Sequence, residues 1–203
     1  MNIIQIIIYI TIIISSGYGL IYDAVNYRKE SKNSMWIFYT NISNLIILIY
    51  SILSVSSILK IITNPIFEYS IMMIILITML IYHFLLNNNM KEKEESSILF
   101  KIKNRCVHYI TPILVLVNWI LWKDKSNITY LSCVYWIIVP FIYLILILIR
   151  SNYINENSEK KKYPYHFLNK DIIGNKKFYI NIFSILFTFV AISEIIYMLI
   201  KIL

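Results

Sequence analysis

The side chains in this sequence that are able to do chemistry are few, and they collect at matching places along apolar runs. Thr40, Asn41, Ser43 and Asn44 open one run, Tyr82 and His83 close another, and His108 and Tyr109 open a third. A threonine hydroxyl is a weak nucleophile at neutral pH and gains reactivity from a base within hydrogen-bond reach. Histidine, with an ordinary pKa of ~6.5, suits that role, taking the hydroxyl proton and returning it to a leaving group. Asn44 follows Thr40 by four residues, so it shares a helical face one turn further on, where its amide could donate to a developing oxyanion. Thr40 as nucleophile and a histidine, His83 or His108, as base, with Asn44 and Tyr143 in support, describe attack on an ester. Each residue also has a plain reading. Thr40 could bond to its own i−4 carbonyl, Asn44 could join two helices, and each histidine could be structural near the headgroups. What lifts the set above those readings is that three different segments bring such groups to one level.

The elements that must position them are apolar. The chain of 203 residues is 59% hydrophobic and 15% charged, whereas a soluble domain carries about 25% charged residues. Heavy use of isoleucine, asparagine, lysine and tyrosine looks like the codon bias of an AT-rich bacterial genome, so isoleucine runs are no strand signal. Six apolar stretches, about 2–22, 36–60, 67–87, 106–122, 130–149 and 179–201, approach ~20 residues, which is the length of a bilayer span. Backbone in lipid must satisfy its own hydrogen bonds, and the strict alternation of barrel strands is absent, which leaves helices. The expected fold is therefore all-α, a single domain over 1–203 forming a polytopic bundle of six transmembrane helices. The first stretch lacks a basic n-region and is too long for a signal-peptide core, so it reads as a retained span. Cys106 and Cys133 fall at opposite ends of that bundle, which speaks against a disulfide.

The net charge of +8 resides in loops between apolar stretches, where topology and anionic headgroups explain it better than nucleic acid does. Of the 19 lysines and arginines, all but Lys60, Lys123, Lys125 and Lys201 follow the first, third and fifth stretches. The positive-inside rule then puts those loops in the cytoplasm and both termini outside a cell membrane crossed several times. On this topology Thr40, His83 and His108 lie roughly 3–8 Å inside the cytoplasmic boundary, at about 1.5 Å of rise per residue. Ionisable groups at membrane depth point to function. A site there suits a lipid, with its chain among the helices and its ester at the mouth.

Several stretches resemble one family. Tyr39-Thr40-Asn41-Ile42-Ser43-Asn44-Leu45, His108-Tyr109-Ile110-Thr111-Pro112 and Asn118-Trp119 do so, as do Tyr135-Trp136 leading to Pro140 and Tyr143, and Tyr163-Pro164-Tyr165-His166-Phe167. In order over about 39–181, they are similar to bacterial six-span relatives of the androgen-induced and androgen-dependent TFPI-regulating membrane protein family. The resemblance implies a threonine hydrolase acting on fatty acid esters of hydroxy fatty acids, with Thr40 and His108 essential. The loop carrying Tyr163, Tyr165 and His166 reads either as a rigid interfacial turn or as a lid over the cytoplasmic mouth.

Expected partners are a lipid or fatty-acyl ester and membrane lipids, with no nucleic acid, no metal and no cofactor. Two other readings remain at this stage. One is a small-molecule or lipid transporter or binding protein without catalysis, though scarce Gly/Pro interruptions and plain isoleucine-leucine midsections weigh against a transporter. The other is a haem or metal site between His83 and His108.

Overall fold

A computed structural model describes residues 2–30, 34–56, 64–86, 97–154 and 161–202, with 27–30 as backbone. Of the charges that orient the chain, Lys32, Lys60, Lys91, Lys93 and Lys160 lie outside them. The described residues are helical, with no strand among them.

Helix α1 is Ile3–Glu30, α2 is Tyr39–Val55 and α3 is Pro65–Ile81, and α4, Ile98–Arg105, leads towards α5, Thr111–Trp122. Helix α6 is Ile138–Asn152, entered through a 3₁₀ segment Leu131–Ile137, and α7 is Lys170–Ile202. Local sequence sets several of these starts. Asn64 accepts from the Ile66 N–H at 2.9 Å with Pro65 in the first turn, and Ser97 accepts from the Phe100 N–H at 3.3 Å. Gly174 interrupts α7 with φ 78° and ψ 157°, backbone angles that only glycine adopts readily.

Five helices are long and apolar enough to cross a membrane: Ile3–Asn26, Pro65–Leu86, Ile98–Trp122, Leu131–Asn152 and Lys170–Ile202. The stretch expected over 36–60 contributes α2, 17 residues among those described against the ~20 of a full span, and its positions 57–60 lie outside the described residues. A 3₁₀ turn, Met35–Ile37, capped by Ser34, precedes it. The fourth span also differs from expectation. Its helix begins at Ile98, ahead of 106, because Lys103 is buried and paired with Asp23 of α1 at 3.0 Å.

Helix α3 lies at the centre, against α2, α5 and the 3₁₀ segment before α6, while α1 lies against α2, α5 and the chain around Val107. The outer faces stay apolar. Ile3, Ile7, Ile10, Ile14 and Ile21 form one exposed stripe on α1, and Phe183 and Phe187 stand out from α7. Such faces are costly in water and natural in lipid, so the chain has the build of a membrane protein.

Candidate functional site

Two helices here carry a single π-helical turn each, a rare feature often found where function is. Cys106–Ile110 is one, closed by the Thr111 N–H on the Cys106 carbonyl five residues back. Pro112 explains it: proline has no N–H to give the His108 carbonyl, and its ring presses on that carbonyl. Widening the turn by one residue relieves both. Tyr82–Leu86, continuing α3, is the other.

The two turns meet. The Tyr82 ring stacks on His108 at 3.8 Å with 10° between planes, and Tyr82 meets Tyr109 edge-on at 5.7 Å. His108 is 5% exposed, the Thr78 backbone bonds to its ring, and its Nδ1 is buried without a partner. The neighbouring hydroxyls tie the helices together, Ser43 to Thr78 at 2.8 Å and Ser15 to Thr111 at 2.7 Å. Asn44 joins α2 to the π turn. Its Nδ2 donates to the Thr40 carbonyl at 2.8 Å and, at a longer 3.4 Å, to the Val107 carbonyl. Its Oδ1, like that of Asn104, is buried and unpartnered. Unmet acceptors of this kind are costly in a core, and two of them, His108 Nδ1 and Asn44 Oδ1, belong to side chains in or bonded to the same π turn.

Thr40 is buried one turn above Asn44, and its surroundings are aromatic. The Tyr165 phenol meets the Thr40 side chain and backbone and the Tyr143 hydroxyl, and it accepts from the Tyr39 N–H at 3.1 Å. Tyr143 in turn donates to the Ile37 carbonyl at 2.8 Å and lies edge-on to Tyr39 at 5.3 Å. The Tyr165 ring is partly exposed, yet burial around its hydroxyl raises the phenol pKa above its ordinary value. It therefore stays protonated near neutral pH and is no base for Thr40. No hydrogen bond joins Thr40 to His108 among the described residues. Beside the phenols lies a cavity of ≈ 90 Å³ whose walls include Tyr39, Ile77, Tyr143, Phe167 and Phe189.

The loop before α7 is held inward at both ends. Arg150 donates to the Lys161 and Lys162 carbonyls at 2.9 and 3.0 Å, and Asn181 donates to the Phe167 carbonyl at 3.2 Å. Tyr163 is buried with its hydroxyl unpartnered, Tyr165 stacks on Phe167 at 5.3 Å, and His166 faces outward. His83 is also exposed, its Nδ1 3.2 Å from the Tyr109 hydroxyl. It does not face His108, whose ring is covered by Tyr82. No group of three or more His, Cys, Asp or Glu side chains able to hold a metal occurs among the described residues.

The structure thus brings Thr40 to Tyr165, which also meets Tyr143, and Asn44 to the Val107 carbonyl next to His108, while His83 and His166 are exposed. Sequence reasoning passed over Thr78, Asn104 and the Asp23–Lys103 pair. Asp23 and Lys103, opposite charges flanking apolar runs at one end of the bundle, were the available signal. It also missed Glu68 near the start of α3, buried with Lys123 as an ion pair and accepting from Tyr50 at 3.1 Å. Both thiols, Cys106 and Cys133, are free. Comparison with protein-family models, with curated proteins and with solved structures gives no match for this chain.

Proposed function

We propose that this is a six-span cell-membrane protein that hydrolyses lipid esters, related to the family its motifs resemble, with Thr40 as nucleophile and His108 as base. Both termini lie outside and the site opens towards the cytoplasm. The observation that carries the reading is the His108 imidazole. It is buried, fixed on one side by the Thr78 backbone and on one face by Tyr82, and it keeps Nδ1 unpaired one helix away from Thr40. In a core, that nitrogen is an acceptor to which the described residues offer no donor.

In this mechanism the bound ester draws Thr40 from Tyr165 to within reach of His108, and the Thr40 hydroxyl oxygen bonds to the ester carbonyl carbon while its proton passes to His108 Nδ1. The tetrahedral intermediate then breaks the ester C–O bond, and the departing alkoxide takes the proton from His108. Water, deprotonated by His108, releases the acid from the acyl-threonine and restores the hydroxyl. Tyr165, protonated and beside Thr40, is better placed to donate to the oxyanion than Asn44, whose Nδ2 already serves two carbonyls. The apolar cavity next to Tyr165 would take part of an acyl chain.

Purified protein assayed on fatty acid esters of hydroxy fatty acids tests this. Thr40→Ala and His108→Ala should each lower hydrolysis by at least about 10³-fold, and Thr40→Ser should keep measurable activity. Normal turnover by the alanine variants would overturn the assignment. The contact between Thr40 and Tyr165 favours a second reading, lipid binding without chemistry. Proteoliposome uptake that is indifferent to Thr40→Ala would support that one instead.

A further inference from the structure

A second, larger cavity of ≈ 750 Å³ lies at the other end of the bundle, between α3, α5 and α7. Leu76, Leu116, Ile196 and Leu199 are among its walls, and Lys125 and Lys201 stand on its lining. Its size is within the ~300–1,000 Å³ of sites that enclose a small molecule.

The two lysines differ in what they already hold. Lys125 donates to the Ile120 and Lys123 carbonyls at 2.9 and 3.0 Å, which leaves one of its three N–H bonds, and it lies over the Trp119 ring at 5.2 Å. Lys201 lies over the Tyr197 ring at 5.7 Å and has no hydrogen bond or ion pair among the described residues. Asp124, in the same turn as Lys125, is not on the cavity wall, and its carboxylate accepts from the Ser126 N–H and hydroxyl at 2.9 Å each. Two ammonium groups thus meet an apolar groove with no acid on its wall among the described residues. That arrangement complements one chemical shape, a hydrocarbon chain ending in an anionic head.

We infer that this groove is a binding site for an anionic phospholipid, its acyl chain against Leu76, Leu116 and Ile196 and its phosphate between Lys125 and Lys201. A lipid in the adjoining leaflet already presents its head at the level of helix ends, where long basic side chains reach it. The site lies at the far end of α5 from His108 and does not depend on the ester-hydrolase reading.

Native mass spectrometry of the purified full chain, offered phosphatidylglycerol, phosphatidylcholine of the same chains, or oleate, tests the inference. Wild-type protein should retain phosphatidylglycerol over phosphatidylcholine, and each lysine neutralised should reduce that preference about fivefold. Lys125→Gln also removes bonds to two carbonyls, so Lys201→Gln, which leaves the turn untouched, is the cleaner variant. Leu116→Trp, which fills the groove and keeps both charges, should lower retention of both phospholipids. Equal retention of the two phospholipids by wild-type protein, a preference that survives Lys201→Gln, or displacement of phosphatidylglycerol by equimolar oleate would each overturn it.

Discussion

At Asn44 one amide serves two helices. Its Nδ2 satisfies the Thr40 carbonyl and reaches the Val107 carbonyl beside His108, so it ties α2 to the π turn that carries His108. Removing it takes that donor from the Val107 carbonyl and leaves the Thr40 carbonyl to the Ser43 hydroxyl at 3.0 Å. Asn44→Ala should cost about 1–3 kcal/mol, read from denaturant unfolding in detergent, and Asn44→Asp should cost more because a carboxylate has no N–H to give. Unchanged unfolding midpoints would show that the amide joins nothing. The Asp23–Lys103 pair offers a companion test. Asp23→Asn leaves a buried ammonium and should cost about 3–5 kcal/mol, much of it recovered in Asp23→Asn/Lys103→Met. The i,i+4 spacing of Thr40 and Asn44 was legible in the sequence. Where the Asn44 amide points was not, since that depends on which carbonyls lie across from it.

Among the elements, the π turn before α5 decides the direction of the His108 ring. Pro112 imposes it by denying the His108 carbonyl a partner. Pro112→Ala should let the turn relax to regular α-helix, which raises helix stability and rotates His108 away from Tyr82. Thermal stability should then rise while hydrolysis falls, and retained full activity would contradict that role for the turn. Gly19 of α1 holds the same turn from outside, because a methyl there would overlap the Val107 side chain. Gly19→Ala should destabilise by about 1–3 kcal/mol, and Val107→Ala should recover part of it in the double variant. Pro112 stood in plain view in the sequence. The one-residue widening it causes did not, because the choice between a kink and a π turn is made by neighbours such as Tyr82. The start of α4 was hidden for a similar reason. Lys103 reads as a loop charge until Asp23, some eighty positions earlier, is seen to neutralise it.

For the molecule as a whole, apolar length carried the prediction well. Five stretches of spanning length follow from runs of isoleucine and leucine, which need no knowledge of partners. The stretch at 36–60 is described as far as Ser56, as the end of a 3₁₀ turn, Met35–Ile37, followed by the 17 residues of α2, and its positions 57–60 lie outside the described residues. Six crossings with both termini outside make a direct prediction. In a Cys106→Ser/Cys133→Ser background, Asn127→Cys should label from outside intact cells, and Ser97→Cys should label only after permeabilisation. Both positions are exposed. Labelling of both from one side would break the topology.

A threonine nucleophile would carry the acyl group as a covalent adduct, and that adduct has a place on the chain. A membrane-permeant acylating probe of the serine-hydrolase type, applied to purified protein and followed by peptide mass spectrometry, should modify Thr40, with the adduct lost in His108→Ala. Modification elsewhere with Thr40 untouched, or an adduct on Thr40 that forms equally well without His108, would contradict the proposed chemistry.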